Sequence, residues 1–239
     1  MRKTLDINIS RPYESEAVRA VTGPAIRPGE LDLTRRAAGY CRLGPGDRVL
    51  DVGCGTGASL DLLARRFGAR TIGIDLSPML LGVARQNDPP LSVMRGNALA
   101  LPLKSGMLRA VFFECVLSLV PDPAAALAEA HRVLQAAGRL VVADIYRQSE
   151  GGGPDPGPWA GVGGCLRGAV GPRALLQRIH HAGFDSLLWQ DHSDRLKALA
   201  AQLAWAGLSL KPWWRDTFPD GAACRMRPGY FLLVARKRS

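Results

Sequence analysis

The run Val49-Leu50-Asp51-Val52-Gly53-Cys54-Gly55-Thr56-Gly57 constrains this chain more than any other stretch. Apolar, β-favouring residues lead into three glycines at alternate positions. Helical spacing then begins through Leu60, Leu62, Leu63 and Phe67. A strand–turn–helix joint of this kind brings a ligand close to the backbone, because a side chain at the glycines would block the approach. The first N–H groups of the helix lack intrahelical acceptors and face electronegative ligand atoms.

The pattern on either side repeats the alternation. Residues 31–42 read as a short amphipathic helix, broken by the turn Gly44-Pro45-Gly46-Asp47. Strands are predicted at 48–52, 71–74, 91–95, 110–113 continuing through Cys115 and Val116, 139–145, 184–190 and 229–237. Helices are predicted at 58–67, 78–86, 123–134, 172–182 and 194–207, the second and third opened by Pro78 and Pro123. Strands alternating with helices predict a mostly parallel sheet with helices on both faces. The run 151–164, rich in glycine and proline, has no periodicity and reads as a lid or insert after strand five. The 239 residues suffice for one domain. Within it, 1–46 is an N-terminal helical segment, 47–150 the ligand-binding core, 151–228 the lid and acceptor region and 229–239 a closing strand.

No apolar run reaches the roughly 18–20 residues of a membrane-spanning helix. No apolar core follows the basic N-terminal residues, so the chain is expected in the cytosol, without a secretory leader. The five cysteines form no C-x-x-C pair, which argues against a structural zinc site and predicts free thiols. The net charge of +10 is spread along the chain and is read as a solvated surface. The place after strand four holds Glu114-Cys115-Val116-Leu117, not the N-P-P-Y-type motif of enzymes that extrude a base. A nucleic acid is therefore not the expected acceptor. The sequence leaves the oligomeric state open.

Glycine turns serve dinucleotides as well as S-adenosylmethionine (SAM), and Gly53, Gly55 and Ala58 satisfy a loose G-x-G-x-x-G/A pattern. Asp75, 24 positions after Asp51, would hold ribose hydroxyls in either case. Asp51 separates the two, since an acid beside the first glycine opposes a pyrophosphate and suits the cationic end of SAM. The run Arg95-Gly96-Asn97-Ala98-Leu99-Ala100-Leu101-Pro102 points the same way, as does the strand-like ending GYFLLVARK.

Together, D-V-G-C-G-T-G, G-I-D-L-S-P, G-N-A-x-x-L-P and R-V-L-x-x-x-G-R-L-V-V-x-D make residues 48–145 resemble the class I SAM-dependent methyltransferases. The similarity is greatest to the broad group that includes quinone C-methyltransferases and arsenite methyltransferases. The resemblance implies a Rossmann-like, doubly wound, seven-stranded sheet whose last strand is reversed. It implies SAM as cofactor and a small-molecule methyl acceptor. Gly53 and Gly55 would pass under the methionine part of SAM, with Cys54 as the small residue between them and Asp51 near the ammonium. Asp75 would accept hydrogen bonds from the ribose, and Leu76 would pack on adenine. Asn97, where the family usually has Asp, and the Ala98 N–H would meet the adenine edge. Glu114 would line the pocket beside the methionine.

The segment Gly164-Cys165-Leu166-Arg167-Gly168-Ala169 resembles the E-C-L-G-G-A run of arsenite methyltransferases, whose cysteine is an arsenic ligand. Cys224 follows 59 residues later. Thiolates suit a thiophilic centre, so Cys165 and Cys224 define an alternative metalloid acceptor. Gly164 and Arg167 depart from that run. An organic acceptor is the broader expectation, and a non-catalytic SAM-binding protein is the alternative from another class. Trp159, Trp205, Trp213 and Trp214 could wall an acceptor pocket or serve as core aromatics. Glu129 and Arg132, three apart on one helix, read as an ion pair and not as catalytic groups.

Overall fold

The computed structural model describes residues 12–87, 89–148, 165–166, 168–208 and 227–238. The expectations for the lid at 151–164 and for Trp159, Trp213, Trp214 and Cys224 lie outside the described residues. In chain order the elements are α1 (Glu16–Thr22), α2 (Asp32–Cys41), β1 (Arg48–Val52), α3 (Ala58–Phe67), β2 (Arg70–Asp75), α4 (Pro78–Ala84) and β3 (Val93–Arg95). They continue with β4 (Leu108–Glu114), α5 (Pro123–Val133), β5 (Leu134–Arg147), α6 (Pro172–His181), β6 (Phe184–Asp191), α7 (Ser193–Trp205) and β7 (Pro228–Lys237).

The seven strands form one sheet in the order β3-β2-β1-β4-β5-β7-β6. β1 is parallel to β2 and β4, β2 to β3 and β4 to β5, whereas β7 runs antiparallel to both β5 and β6. The reversed closing strand is thus inserted between β5 and β6. Both faces of the sheet are covered. Along β7, Tyr230, Leu232 and Val234 join Val49, Phe112, Val141 and the α2 residues Leu33, Ala37 and Ala38. The alternate residues Phe231, Leu233 and Ala235 join Leu50, Phe113, Val142 and the α5 residues Ala126 and Leu127. A strand buried on both faces must be apolar at every position, which is why the central strands read as continuous apolar runs.

Local signals explain where the helices begin. Ser77 accepts the Leu80 N–H at 3.2 Å and Asp122 the Ala125 N–H at 2.9 Å, each just before a proline in the first turn. α3 stops at Gly68, whose φ of 66° is the left-handed conformation glycine takes at little cost. β3 is shorter than its apolar pattern because Leu91 packs beside the glycine turn with Leu60 and Leu81 and does not join the ladder. β4 begins earlier than expected and stops at Glu114, short of the expected Cys115 and Val116, because Cys115 has φ 59° and leaves the strand. The N-terminal segment was expected to be helical, but the bounds of α1 were not legible in the sequence. α1 packs Val18 against Leu203 and Leu208 at the end of α7. No helix among the described residues is long and apolar enough to cross a membrane.

Phe112 is wholly buried at the centre of the face beneath α2. Phe112→Ala is expected to lower the unfolding free energy by about 3–5 kcal/mol in a denaturant titration.

Candidate cofactor and acceptor site

β1 delivers the glycine turn to the carboxyl edge of the sheet, between β2 and β4. Gly53, Gly55 and Gly57 all have positive φ, of 73°, 52° and 84°. The turn is tied to β2 by Gly53 and Cys54, whose N–H groups donate to Ile74 O at 2.6 and 3.1 Å. The glycines differ in what they face. A Cβ on Gly53 would stand 2.3 Å from Val116 Cγ2, and one on Gly57 2.3 Å from Leu91 Cδ1, so these two let neighbouring side chains close in. A Cβ on Gly55 would meet nothing within 4 Å. Gly55 is therefore the glycine that faces open space.

Asp75, at the end of β2, accepts the Gly55 N–H at 2.8 Å and the Ser77 N–H at 2.8 Å. Its carboxylate is thereby fixed at the lip of the turn, with Leu76 beside it at 62% exposure. Asp51 lies deeper, 2% exposed, and its Oδ1 has no hydrogen-bond partner. Burial pushes its carboxyl well above the usual range; Glu114 adds to the shift, Arg27 opposes it, and Asp75 adds again. An orphaned, buried carboxylate oxygen next to an open glycine turn suits a ligand with a cationic end. Asn97 accepts the Leu99 N–H through Oδ1 at 3.0 Å, closing a tight turn after β3, and Ala98 is buried. Glu129 and Arg132 clamp that turn. They pair at 2.6 Å, while Glu129 also accepts the Leu101 N–H and Arg132 donates to Leu101 O and Leu103 O.

Glu114 is engaged on every side. It accepts the hydroxyls of Thr34 at 2.7 Å and Ser59 at 2.6 Å and pairs with Arg27 at 3.0 Å. Arg27 also donates to Thr34, Ser59 and Glu30 O. Arg27 was not singled out in the sequence, since it stands in the irregular run Pro24-Ala25-Ile26-Arg27-Pro28 with no periodicity to mark it. Cys54 is buried, and its Sγ would lie 2.6 Å from a Cβ on Gly73, so it fills the gap between turn and β2.

Beyond β4 lies a second, uncharged group of side chains. Cys115 Sγ is 3.1 Å from the Tyr230 hydroxyl, which donates to Ala143 O at 3.2 Å. Cys165, 4% exposed, shares a side-chain hydrogen bond with Tyr13. Burial, with Asp144 adding, pushes the Cys165 thiol up to about 12; burial likewise raises Cys115, Tyr13 and Tyr230. All four therefore stay protonated at neutral pH. Asp144, the last residue of the R-L-V-V-x-D run, accepts the Ser118 hydroxyl and N–H at 2.7 and 2.9 Å, anchoring the loop after Cys115. The structure thus brings Asp51, Gly53, Cys54, Gly55, Asp75 and Glu114 together and places Cys165 near Cys115. Among the described residues no group of three His, Cys, Asp or Glu side chains could hold a metal ion.

A family model described as a methyltransferase domain matches residues 50–142. An uncharacterized 37.1 kDa protein in transposon TN4556 of Streptomyces fradiae is 43% identical over 105 residues, 42% of this chain and 30% of that protein. An arsenite methyltransferase of Halobacterium salinarum is 27% identical over 158 residues, 62% of this chain and 40% of that enzyme. The chain thus spans well under half the length of these two relatives. A demethylmenaquinone methyltransferase of a Mycobacterium species (strain KMS) is 29% identical over 225 residues, 84% of this chain and 96% of the enzyme. Among solved structures, the [4+2]-cyclase SpnF superposes with a TM-score of 0.74 at 26% identity, covering 95% of this chain and 93% of that one. Sheet order, glycine turn and these similarities define the class I methyltransferase fold. Residues 50–142 thus carry a methyltransferase domain, and the similarities indicate SAM as its cofactor.

Two outcomes follow from the buried acids. Arg27→Ala leaves Glu114 buried without its cation and is expected to cost about 3–5 kcal/mol of stability, part of which Arg27→Ala/Glu114→Gln restores. Burial pushes Asp144 up to about 6, against the Ser118 and backbone hydrogen bonds that lower it. Ionising this group therefore disfavours the folded state. Its contribution is full below the ordinary value near 3.8 and is lost as pH rises through about 6. The stability of the protein relative to its Asp144→Asn variant should fall by roughly 3 kcal/mol between acid and neutral pH, as read from denaturant titrations.

Proposed function

We propose that the chain transfers the methyl group of SAM to carbon, oxygen or nitrogen of a small, uncharged organic acceptor in the cytosol. The acceptor would lie beside Tyr13, Cys115, Cys165 and Tyr230, next to the glycine turn. What carries this reading is the contrast between the two halves of the site. The half around Gly55 offers carboxyl groups, one with an unpartnered oxygen on Asp51, whereas the half around Cys165 offers thiols and phenols that burial keeps neutral.

When bound, SAM supplies an activated methyl group on a sulfonium whose leaving group is neutral, so the protein's task is alignment and exclusion of water. In this reading Gly53 and Gly55 pass beneath the methionine part, with Cys54 filling the space behind them. The orphaned Asp51 oxygen answers the ammonium. Asp75 accepts the ribose hydroxyls, exchanging them for its present N–H donors or adding to them. Leu76 covers one face of adenine, and Asn97 with the Ala98 N–H meets its edge. Glu114 acts through Arg27, Thr34 and Ser59, holding the wall beside the methionine. Residues 47–150 would form the cofactor core, and 151–228 the lid and acceptor region of one domain.

The mycobacterial relative's name makes a reduced quinone the first acceptor to test, and the Halobacterium relative's name makes arsenite the second. A Cys165 thiol raised to about 12 favours the organic acceptor, since a metalloid ligand must give up its proton.

Calorimetry with SAM should show binding that Asp75→Ala weakens at least about 100-fold, each tenfold being 1.4 kcal/mol. Formation of S-adenosylhomocysteine with a hydroquinone, unchanged in Cys165→Ser, is the expected result. Turnover with arsenite that Cys165→Ser abolishes would replace this reading with the metalloid one.

A further inference from the structure

The strands that carry the glycine turn begin, at the opposite edge of the sheet, with arginine. Arg48 opens β1, Arg70 opens β2, and the two are partners in register. Arg42 caps the carboxyl end of α2 in a left-handed conformation, φ 52°, and Arg66 stands in the last turn of α3. Backbone bonds hold these places together. The Arg70 N–H donates to Asp47 O at 2.7 Å, and the Gly46 N–H to Gly68 O at 2.9 Å. All four side chains are exposed, and none forms an ion pair with a described acid.

More positive charge lies behind them. Arg139 is the register partner of Ala110, next to Arg109. Burial lowers the Arg139 guanidinium first, and the crowding of Arg109 adds to that. Asp47 is the described counter-charge here, 4.0 Å from Arg109 and engaged by the Gly44 N–H at 3.0 Å. So many guanidinium groups around one carboxylate repel one another, and a polyanion would relieve the repulsion.

We propose that this arginine edge docks the phosphate backbone of double-stranded nucleic acid, leaving the glycine turn at the far edge free. The docking holds the enzyme in place; the nucleic acid is not its methyl acceptor, and the inference does not rest on which acceptor is used. The planar fork of a guanidinium matches phosphate oxygens two at a time, and backbone contacts need no base sequence. A lipid surface is less well served. Firm docking there draws on apolar side chains that insert as well as on charge. Of the exposed large apolar residues described, Tyr40 is the one in the helix end that carries Arg42, and Arg36 lies over its ring at 5.8 Å.

The test is fluorescence anisotropy of the full chain with a labelled random-sequence duplex of about 20 base pairs. Four phosphate contacts predict that raising salt from about 50 to 200 mM weakens binding on the order of 100-fold. Arg48→Ser/Arg70→Ser, and separately Arg42→Ser/Arg66→Ser, should each weaken binding about tenfold at intermediate salt and reduce the slope by about 2. Arg195→Ser/Lys197→Ser on α7 should leave both unchanged. Thermal unfolding checks that every variant is folded, and the second pair stands in if the first is not. Absence of binding at low salt, or an equal loss in the α7 variant, overturns the proposal. Binding of phosphatidylglycerol vesicles or of polyphosphate, with no binding of the duplex, also overturns it and assigns the edge to that anion.

Discussion

The ion pair between Arg27 and Glu114 is the interaction around which the site is assembled. Glu114 ends β4 and Ser59 lies in the first turn of α3, while Thr34 belongs to α2 and Arg27 to the irregular segment before it. Four pieces of chain that meet nowhere else in this way are joined at one carboxylate whose side chain is 2% exposed. A buried charge is tolerated only when its partners are all in place, so the arrangement is closer to all-or-none than a set of apolar contacts would be. The segment before α2 gains its position by completing this network. It also draws Thr56, at the glycine turn, to Pro24 O at 2.9 Å.

The same network sets the electrostatics of the site. Glu114 is the largest charge acting to raise Asp51, and Arg27 is what holds that effect in check. Asp75 adds a third carboxylate at the lip. Crowded acids in a half-dry turn raise the cost of every negative charge and favour a cationic ligand, which SAM is at two of its atoms. Across β4 the side chains change from carboxyl groups to the thiols and phenols of Cys115, Cys165, Tyr13 and Tyr230. The two halves of the site thus differ in chemistry as well as in position.

Much of this was legible beforehand. The predicted β1 and α3 match the structure to the residue, and most other element boundaries lie within two. Strong local signals explain that success: glycines at positive φ, prolines after Ser77 and Asp122, and apolar runs on strands buried on both faces. What was missed has no local signal. The bounds of the short α1 are set by packing on α7, a segment nearly two hundred residues away in sequence. Arg27, Thr34 and Ser59 are ordinary polar residues until Glu114 gathers them. Glu129 and Arg132 were read as an ion pair, but their hold on Leu101 and Leu103 depends on where α5 lies, some thirty residues on in sequence.

By itself the sequence determined the alternation of elements, the glycine turn and the acids at its rim, because each depends on backbone conformation or residue spacing over a few positions. Only the tertiary structure decided which charges meet. It left Asp51 with an unpaired oxygen, closed Glu114 inside a network drawn from four elements, kept Cys165 a neutral thiol and lined up Arg48 with Arg70 at the far edge. Those outcomes depend on burial and on distances between residues remote in sequence, and a charge's energy is set by its surroundings.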